Sequence, residues 1–488
     1  MLFNSGVFLQ FFASFLLLYW LLRNHLRGRN LLIVGASYLF YGWWNVHFLV
    51  LLFFSSTLDF AVGLGLARLT SPARRRLLLS ASIVVNLGIL GFFKYYNFFV
   101  DSMRVLLGEL NVPFHPGTLE VILPVGISFY TFQSMSYAID VYRGQIKPTR
   151  NFINFLAYVS FFPQLVAGPI NRAGDLLPQF EQTIVISRRW VEEGIWLMIW
   201  GLFKKVVVAD NFAPLADLAF GQDHFSAPVV LAGVVCFGFQ IYCDFSGYSD
   251  IARGCARLLG FDIMWNFDLP YAAISLRDFW RRWHISLSTW LRDYLYISLG
   301  GNRHGTARTM GNLILTMLLG GLWHGAAWNF VLWGLWHGAG LALQRAWSGF
   351  RRHPVPILPQ GSRMPREELA AEPPTQPWPI RVAGWLVTMV FVGYGWLLFR
   401  ASSWQQIMSM TAGLTDTSAP PWMFSMIING IVFALPMIAM EAWQLRRRNR
   451  LAALELSTGA RACLQGLLLI GLLVFWQKKA AAFIYFQF

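Results

Sequence analysis

Charged residues are scarce in this sequence and make up only 13% of its 488 positions. A soluble domain usually carries about 25% charged residues. By contrast, 56% of this chain is hydrophobic, and its mean hydropathy is +0.48. Because apolar runs long enough to cross a bilayer recur along the chain, the composition predicts a polytopic membrane protein. The spanning segments are expected to be helices, since the alternation typical of a membrane β-barrel is missing.

Cysteine is also scarce, and several motifs of metal and nucleophile chemistry are missing. The four cysteines are Cys236, Cys243, Cys255 and Cys463, and no two form a CxxC pair. Three of them fall in or near apolar segments, so structural thiols are expected rather than a disulfide or a metal site. The chain has no HxxxH or HExxH spacing, no GxSxG elbow and no P-loop. These absences argue against a metal centre, a serine hydrolase and a P-loop NTPase.

Positive charge is in excess, with a net charge of +15, but it is spread over short loops between apolar segments. A nucleic-acid-binding protein would concentrate this charge in one domain or patch, so no nucleic-acid partner is expected. Basic loops between membrane segments indicate topology instead. Placing all of them in the cytoplasm requires both chain ends to lie outside. The first segment lacks a basic n-region and a cleavage site, and we interpret it as a retained span.

Thirteen segments are apolar enough to be candidate membrane segments. They are 6–22, 31–44, 47–67, 77–99, 118–140, 152–169, 190–207, 227–247, 310–329, 331–347, 382–400, 424–441 and 462–478. Re-entrant segments are expected between 152 and 300, where the loop charges do not fix the direction of each segment. A polar, Pro-rich insert at 348–381 predicts a cytoplasmic loop. It separates a membrane core, 1–347, from a C-terminal transmembrane group, 382–488.

One long apolar stretch, TMGNLILTMLLGGLWHGAAWNFVLWGLWHG, carries His324 deep inside it. An ionisable residue in a membrane segment is a functional-site hypothesis by default. A neutral imidazole in an apolar site can act as a base toward a hydroxyl group, and the alternative is a structural histidine bonded to a backbone carbonyl. The glycines around it allow either close helix packing or the approach of a ligand. These glycines are Gly320, Gly321, Gly325, Gly334 and Gly338.

Residues 270–300, PYAAISLRDFWRRWHISLSTWLRDYLYISLG, are too charged to span a membrane. On one continuous helix, Arg277, Arg281, His284 and Ser288 would form a single polar stripe, as in an interfacial amphipathic helix. Two interpretations remain open. The helix either lies on the membrane surface or folds inward over a polar cavity, with His284 facing that cavity.

Further polar residues lie in neighbouring apolar runs. Gln240, Asp244 and Tyr248 stand at the end of the run 227–247, and Pro163 with Gly168-Pro169 breaks another run in its middle. Broken backbone at membrane depth is tolerated only where protein buries it or water lines it. Together these segments predict a polar interior.

Five runs of the sequence form a long and specific set of motifs. They read LPVGISFYTFQSMSYAIDVYRG, FFPQLVAGPINR, QIYCDFSGYSDIARG, NFDLPYAAISLRDFWRRWHISLSTWLRDYLYISLGGNR and LLGGLWHGAAWNFVLWGLWHG. In these runs the chain resembles the membrane-bound O-acyltransferase (MBOAT) family, and within it the bacterial branch that O-acetylates exopolysaccharides such as alginate or cellulose. The resemblance covers about residues 1–345 and implies an all-α membrane core with a transmembrane tunnel.

The resemblance also implies a site and a reaction. The family's principal catalytic histidine falls on His324, and its second motif histidine on His284, whereas His337 is not assigned a catalytic role. The acyl donor is expected to contact residues near the tunnel. The polar-cavity candidates are Gln240, Asp244 and Tyr248. The donor-side candidates are Arg277, Arg281, Arg282 and Trp323.

The implied reaction moves acetyl groups from cytoplasmic acetyl-CoA across the bacterial inner membrane, with no permanently bound cofactor and no metal. The expected partners are a periplasmic or membrane-anchored SGNH-type acetyltransferase, a polysaccharide synthase or secretion complex, and the lipid bilayer. Two alternatives remain: D-alanyl transfer to teichoic acid, and a transporter for a polymer or a lipid-linked sugar. A transporter of this kind often has paired halves with matching broken helices, and the sequence has no convincing internal repeat.

Overall fold

The computed structural model describes residues 1–114, 119, 122–350, 377–476, 483 and 484, and in these residues the chain forms helices and no β-strand. It divides into two compact units. Unit 1 contains Met1–Gly194 and Ala252–Met264, and unit 2 contains Ile195–Ile251 and Trp265–Phe488. Two of the three boundaries between the units fall within long helices, α9 (Arg188–Leu202) and α11 (Ala227–Leu258), and the third lies between Met264 and Trp265.

In the part of unit 1 that the structure describes, eight α-helices lie wholly within the unit. They are α1 (Gly6–Leu22), α2 (Leu26–Gly42), α3 (Leu49–Arg68), α4 (Pro72–Glu109), α5 (Ile127–Tyr142), α6 (Phe152–Ser160), α7 (Phe162–Leu165) and α8 (Ala173–Phe180). Local sequence sets several of their ends: Ser5 caps α1, Asn151 caps α6, and Pro72 opens α4 at a position where no backbone donor is needed. The predicted break near Pro163 is confirmed, because α6 ends at Ser160 and the short helix α7 begins at Phe162 with Pro163 in its first turn.

Unit 2 contains the remaining helices. They are α10 (Asp210–Phe220), α12 (Leu276–Arg282), α13 (Ile285–Trp290), α14 (Thr306–His324), α15 (Trp328–Phe350), α16 (Trp378–Arg400), α17 (Trp404–Gly413), α18 (Met423–Arg447) and α19 (Thr458–Phe475). Among the described residues of this unit, the segments Phe203–Ala209 and Leu291–Tyr296 are π-helical. Within the unit, α14 packs on α15, α15 packs on α16, and α12 contacts both α15 and α16.

Among the described residues, six helical segments are long and apolar enough to cross a membrane: Val46–Arg68, α4, α11, α16, α18 and α19. The protein is therefore an all-α, multi-pass membrane protein, as predicted. Helices also cover most of the other predicted segments, although α5 begins only at Ile127. Residues 351–376 of the predicted cytoplasmic loop lie outside the described residues, and α15 and α16 extend into its two ends. The division into a core, a loop and a C-terminal group stays a prediction.

Candidate active site

His324 lies at the C-terminal end of α14, at the tip of the hairpin that α14 forms with α15. The helix ends where Gly325 adopts an extended backbone, with φ −161° and ψ 155°, and α15 then begins at Trp328. The imidazole is buried. Its ring centroid lies 5.0 Å from that of Trp333 and 5.4 Å from that of Phe399. His324 is therefore enclosed by aromatic rings within unit 2.

Close packing of α14 on α15 explains the glycines of this hairpin. A Cβ atom on Gly334 would lie 2.4 Å from the carbonyl oxygen of Met317, and one on Gly321 would lie 2.2 Å from that of Phe330. Gly338 makes a similarly close approach to the backbone of α14. Small residues let two membrane helices approach in this way. Helix packing is therefore the interpretation that the structure confirms at these three glycines.

Replacing Gly334 with alanine is expected to destabilise the hairpin, because the added methyl group must push α14 and α15 apart. Overpacking of this kind costs about 1–3 kcal/mol of unfolding free energy. The matched control is Gly311→Ala in α14, since a Cβ atom there meets nothing within 4 Å. Melting temperatures of the detergent-solubilised proteins measure the difference, and equal values for the two variants would contradict the prediction.

The predicted continuous helix through Arg277, Arg281, His284 and Ser288 is wrong. Helix α12 ends at Arg282, and α13 begins at Ile285. His284 between them has a left-handed backbone, with φ 42° and ψ 55°, a conformation that is uncommon for a residue with a side chain. The break turns His284 into the protein, where it is 0% exposed. This burial supports the inward interpretation of the segment over a helix on the membrane surface.

Asn266 supplies the physical reason for the break. Its backbone carbonyl accepts a hydrogen bond from the N–H of Ile285 at 2.9 Å, and its side-chain Oδ1 accepts one from the N–H of Ser286 at 3.2 Å. In a continuous helix these two N–H groups would bond to residues 281 and 282. Sequence periodicity carries no sign of this competing partner, which lies eighteen residues before His284.

The same asparagine fixes the tautomer of His284. Asn266 Oδ1 can only accept hydrogen bonds, and its identity is set by the backbone donor of Ser286. His284 Nδ1 lies 3.1 Å from this oxygen, so Nδ1 must carry the proton and donate it. Burial lowers the pKa of His284 to about 3, which keeps the ring neutral. The lone pair is therefore on Nε2, where it can accept a proton from a reactant.

The structure brings the two predicted catalytic histidines together. The ring centroids of His284 and His324 are 6.4 Å apart. Trp323, a predicted donor-side residue, contacts both, with centroid distances of 5.7 Å and 5.2 Å. Two imidazoles this close together can take up and release one proton during group transfer. Their buried aromatic environment favours its release, because low polarity disfavours a lasting positive charge on either ring.

Arg345 on α15 lies near two of the predicted donor-side arginines, Arg277 and Arg281. The backbone N–H of Arg277 donates to Gln344 Oε1 at 3.0 Å, which places the start of α12 beside the end of α15. Burial lowers the pKa of the Arg277 guanidinium, and the like charges of Arg281 and Arg345 lower it further. We name Arg277, Arg281 and Arg345 the arginine cluster. Grouped guanidinium groups are suited to phosphate recognition.

Arg282 has a different setting. Its Nε lies 2.9 Å from Asp278 Oδ1, and its Nη1 donates to the carbonyl oxygen of Asp268 at 3.1 Å. These contacts support a structural role, since they tie α12 to the preceding loop.

The three polar-cavity candidates lie on α11, and all are buried. Asp244 accepts a hydrogen bond from the N–H of Ile484 at 2.7 Å. The ring of Tyr248 packs against Phe483 with centroids 4.7 Å apart. Gln240 lies one turn before Asp244. Asp244 therefore binds the backbone of Ile484 to α11.

Two lysines in the π-helical segment 203–209 were not among the predicted site residues, although a charge inside an apolar run is a signal for a functional residue. Lys204 Nζ lies 2.7 Å from Asp250 Oδ2. Lys205 Nζ lies 2.7 Å from Asp210 Oδ1 and 2.8 Å from Asp244 Oδ1. Both lysines are 4% exposed. The network fixes α10 and α11 to the π-helical segment within unit 2.

Replacing Lys205 with methionine is expected to destabilise the protein strongly, because two buried carboxylates lose their shared cation. Removing one partner of a buried ion pair costs about 3–5 kcal/mol. Melting temperature and the yield of monodisperse protein measure the effect. The control is the double variant Lys205→Met with Asp244→Asn, which removes one stranded charge and is expected to be more stable than the single variant. A single variant as stable as the native protein would contradict this account.

In the part of the chain that the structure describes, no group of three His, Cys, Asp or Glu side chains is arranged to hold a metal ion. The four cysteines are free thiols, three of them buried, with Cys463 exposed.

Comparison with known proteins shows which family this sequence resembles. The sequence profile of the membrane-bound O-acyltransferase family matches residues 145–358, a range that contains both histidines and the arginine cluster. The probable alginate O-acetylase AlgI of Azotobacter vinelandii is 44% identical over 83% of this chain and 76% of its own length. The protein of the same name from Pseudomonas putida is 45% identical over 83% of this chain and 78% of its own length.

A third relative is similar along the whole chain. The peptidoglycan O-acetyltransferase of Helicobacter pylori is 32% identical over 100% of this chain and 98% of its own length. Together with the helical membrane fold and the paired buried histidines, these similarities identify the chain as an acyltransferase of the membrane-bound O-acyltransferase family.

Proposed function

We propose that this protein is a membrane O-acetyltransferase that takes acetyl groups from cytoplasmic acetyl-CoA and moves them across the bacterial inner membrane for O-acetylation of a polysaccharide. The observation that carries the proposal is the pair His284 and His324, 6.4 Å apart in a buried aromatic environment. The relatives named for alginate and peptidoglycan O-acetylation support the acetyl group over a D-alanyl group. The family assignment supports a catalyst over a transporter.

The arginine cluster supports a donor that carries phosphate far from its acyl group. Arg345 lies twelve residues beyond Trp333 on α15, and Trp333 contacts His324. Twelve helical residues span about 18 Å. CoA has this form, with phosphates at one end of a long arm and the thioester at the other. On the topology proposed from the basic loops, the arginine end of α15 faces the cytoplasm, where CoA is available.

In the proposed reaction, the lone pair of a neutral histidine imidazole takes the proton of an acceptor hydroxyl group. The oxygen attacks the thioester carbonyl carbon, the C–O bond forms, and the C–S bond breaks. The departing thiolate takes the proton back from the imidazolium, so that an ester and a free thiol result. His324 is the proposed base, and His284 orients or assists. Transfer to His324 as an acyl relay is the variant in which the hydroxyl group attacks in a second step.

An acceptor in the periplasm suits this arrangement, since His324 lies toward the outer end of α14 in the proposed topology. The partners we propose are an SGNH-type acetyltransferase and a polysaccharide synthase or secretion complex. Peptidoglycan is a second candidate acceptor, which the full-length similarity to the Helicobacter pylori relative favours. Exopolysaccharide of the alginate type is favoured by the higher identity of the alginate relatives.

The test is donor turnover by the native protein in liposomes. Acetyl-CoA labelled in the acetyl group is supplied on one side, and an oligosaccharide acceptor with a purified SGNH-type partner on the other. Release of free CoA thiol with label in the acceptor is the expected result. Label transfer from D-alanyl carrier protein but not from acetyl-CoA would contradict the proposed donor. Passage of the oligosaccharide without thiol release would favour the transporter.

A further inference from the structure

An apolar groove with a volume of about 600 Å³ lies between α18 and α19 in unit 2, over the π-helical segment 203–209. Every described residue that lines it is apolar. Its buried floor contains Trp200, Phe203, Met440 and Leu468, and the rings of Trp200 and Phe203 stack with their centroids 5.6 Å apart. Ligand sites usually have volumes of about 300–1,000 Å³, so the groove is large enough to hold a ligand.

The two ends of the groove differ. At one end α18 and α19 meet, since the ring centroids of Phe433 and Phe475 are 5.4 Å apart. At the other end the groove is lined by Trp443 of α18 and Leu464 of α19, close to the loop that joins the two helices. On the topology proposed from the basic loops, this loop lies on the cytoplasmic side. The groove therefore runs along the helices, from a contact of two rings to the cytoplasmic membrane surface.

Positive charge is concentrated at this loop end. Arg447 follows Trp443 by four residues, and Arg461 precedes Leu464 by three, so both arginines continue the helix faces that line the groove. Arg447 pairs with Glu455, the one acidic residue between 446 and 461, at 3.4 Å. The arginines at the membrane surface outnumber it, and they are Arg446, Arg447, Arg448 and Arg461. The loop end thus carries an excess of positive charge.

We propose that this groove binds one anionic phospholipid of the cytoplasmic leaflet, with an acyl chain between α18 and α19 and the phosphate at Arg446, Arg447 and Arg461. An apolar lining favours a hydrocarbon chain, because each methylene group gains from burial. Guanidinium groups suit phosphate oxygens, and basic pockets between membrane helices on the cytoplasmic side bind anionic headgroups. The charge at the loop end selects a lipid with a net negative charge over a zwitterionic one.

The lipid would contact the segment that carries the buried ionic network of unit 2. Helices α18 and α19 both pack on the π-helical segment 203–209. Phe203 and Val207 of this segment line the groove, whereas Lys204 and Lys205 between them bind the buried carboxylates. A ligand that binds only the folded protein raises its melting temperature. Occupation of the groove is therefore expected to stabilise the protein against heat.

The test is a lipid titration of the purified full-length protein after its lipids have been removed in detergent. The probes are phosphatidylglycerol and phosphatidylcholine with the same acyl chains. One phosphatidylglycerol per protein is expected in native mass spectra, with a higher melting temperature, and phosphatidylcholine is expected to bind at least about tenfold more weakly. Added salt is expected to weaken the binding of phosphatidylglycerol, because it screens charges at the membrane surface. Equal affinity for the two lipids would overturn the inference.

The headgroup site is tested by the double variant Arg446→Gln with Arg461→Gln. Its affinity for phosphatidylglycerol is expected to fall by about 10- to 30-fold, since each arginine near an anionic headgroup contributes about fivefold. Its affinity for phosphatidylcholine is expected to stay within twofold. The matched control is Arg74→Gln with Arg76→Gln, which removes the same charge from exposed arginines of unit 1 and is expected to leave both affinities in place.

The chain site is tested by Ala439→Trp, which fills the groove with an indole ring and is expected to abolish the one-to-one binding of phosphatidylglycerol. Ile438→Trp is the control, since Ile438 is 48% exposed on a neighbouring face of α18. Native affinity in both Ala439→Trp and the arginine double variant would overturn the inference. So would a native dimer that Ala439→Trp alone dissociates, because a second copy of the chain would then occupy the groove. Melting temperatures of the lipid-free variants verify folding, and the arginine double variant decides if Ala439→Trp does not fold.

Discussion

Acetyl transfer by the protein is expected to fall by about 10²- to 10⁴-fold when His324 is replaced by alanine, the range that a general base contributes to catalysis. His324 is buried at the end of α14 within 6.4 Å of His284 between ring centroids. Without its imidazole, the acceptor hydroxyl group keeps its proton, and the thioester carbonyl is attacked by a far weaker nucleophile. The measurement is the rate of labelled acetyl transfer in liposomes, with protein content determined for each variant.

Two controls separate the loss of a base from a loss of folding. His47→Ala removes an exposed histidine of unit 1 and is expected to leave the rate within twofold. His324→Gln fills the same space with an uncharged side chain that cannot act as a base near neutral pH, so it is expected to be as inactive as alanine while melting near the native temperature. A His324→Ala protein that retains half of the native rate would rule out the proposed role. In a producing cell, His324→Ala and His324→Gln are expected to leave the polymer without O-acetyl groups, whereas His47→Ala is expected to preserve them.

The membrane helices and the position of His324 could be predicted from the sequence for one physical reason. A bilayer imposes length and apolarity on each spanning segment, and it makes an ionisable group inside a segment conspicuous. His324 met this condition in a run that is otherwise apolar. The glycines of α14 and α15 followed the same logic, since close helix contact requires small residues whatever the remainder of the fold.

The backbone conformation at His284 could not be predicted in this way. Its polar periodicity with Arg277 and Arg281 fits a helix, and only the hydrogen bonds from Asn266 break that helix. Tertiary contacts of this kind override a periodic pattern, because one strained backbone position costs about 1–3 kcal/mol and fixed partners can offset it. Arg345 was missed for a related reason. It lies near Arg277 in the fold, but the two residues are far apart in the sequence and no known motif spacing connects them.

The ionic network of unit 2 is a third feature that the sequence pattern does not predict. Lys204 and Lys205 occupy a π-helical segment, a geometry that shifts side chains relative to an α-helix and is often found at functional sites. Their partners come from α10 and α11. A sequence pattern with a period of 3.6 residues cannot predict which carboxylates will face such a segment.

Replacing Asn266 with alanine is expected to reduce acetyl transfer by about 100-fold, within the range of lost acid–base catalysis. Asn266 is a positioning residue: its Oδ1 lies 3.1 Å from His284 Nδ1 and accepts the N–H of Ser286. Alanine removes the acceptor that keeps the proton on Nδ1, so the Nε2 lone pair is no longer assured. It also releases the left-handed turn at His284. The measurement is the rate of acetyl transfer at saturating donor, with donor affinity determined separately.

Asn266→Asp distinguishes tautomer control from simple packing. The carboxylate still accepts from both groups, so the turn and the tautomer are expected to persist. Its negative charge, however, favours the imidazolium form and raises the pKa of His284. The acidic limb of the rate profile is therefore expected to move to higher pH, because His284, which assists in its neutral form, becomes protonated sooner as the pH falls. Ser249→Ala, which removes only the 3.3 Å contact to Asn266 Nδ2, is expected to leave the profile in place. Identical pH profiles for the aspartate variant and the native protein, or an alanine variant with native turnover, would show that Asn266 does not set the state of His284.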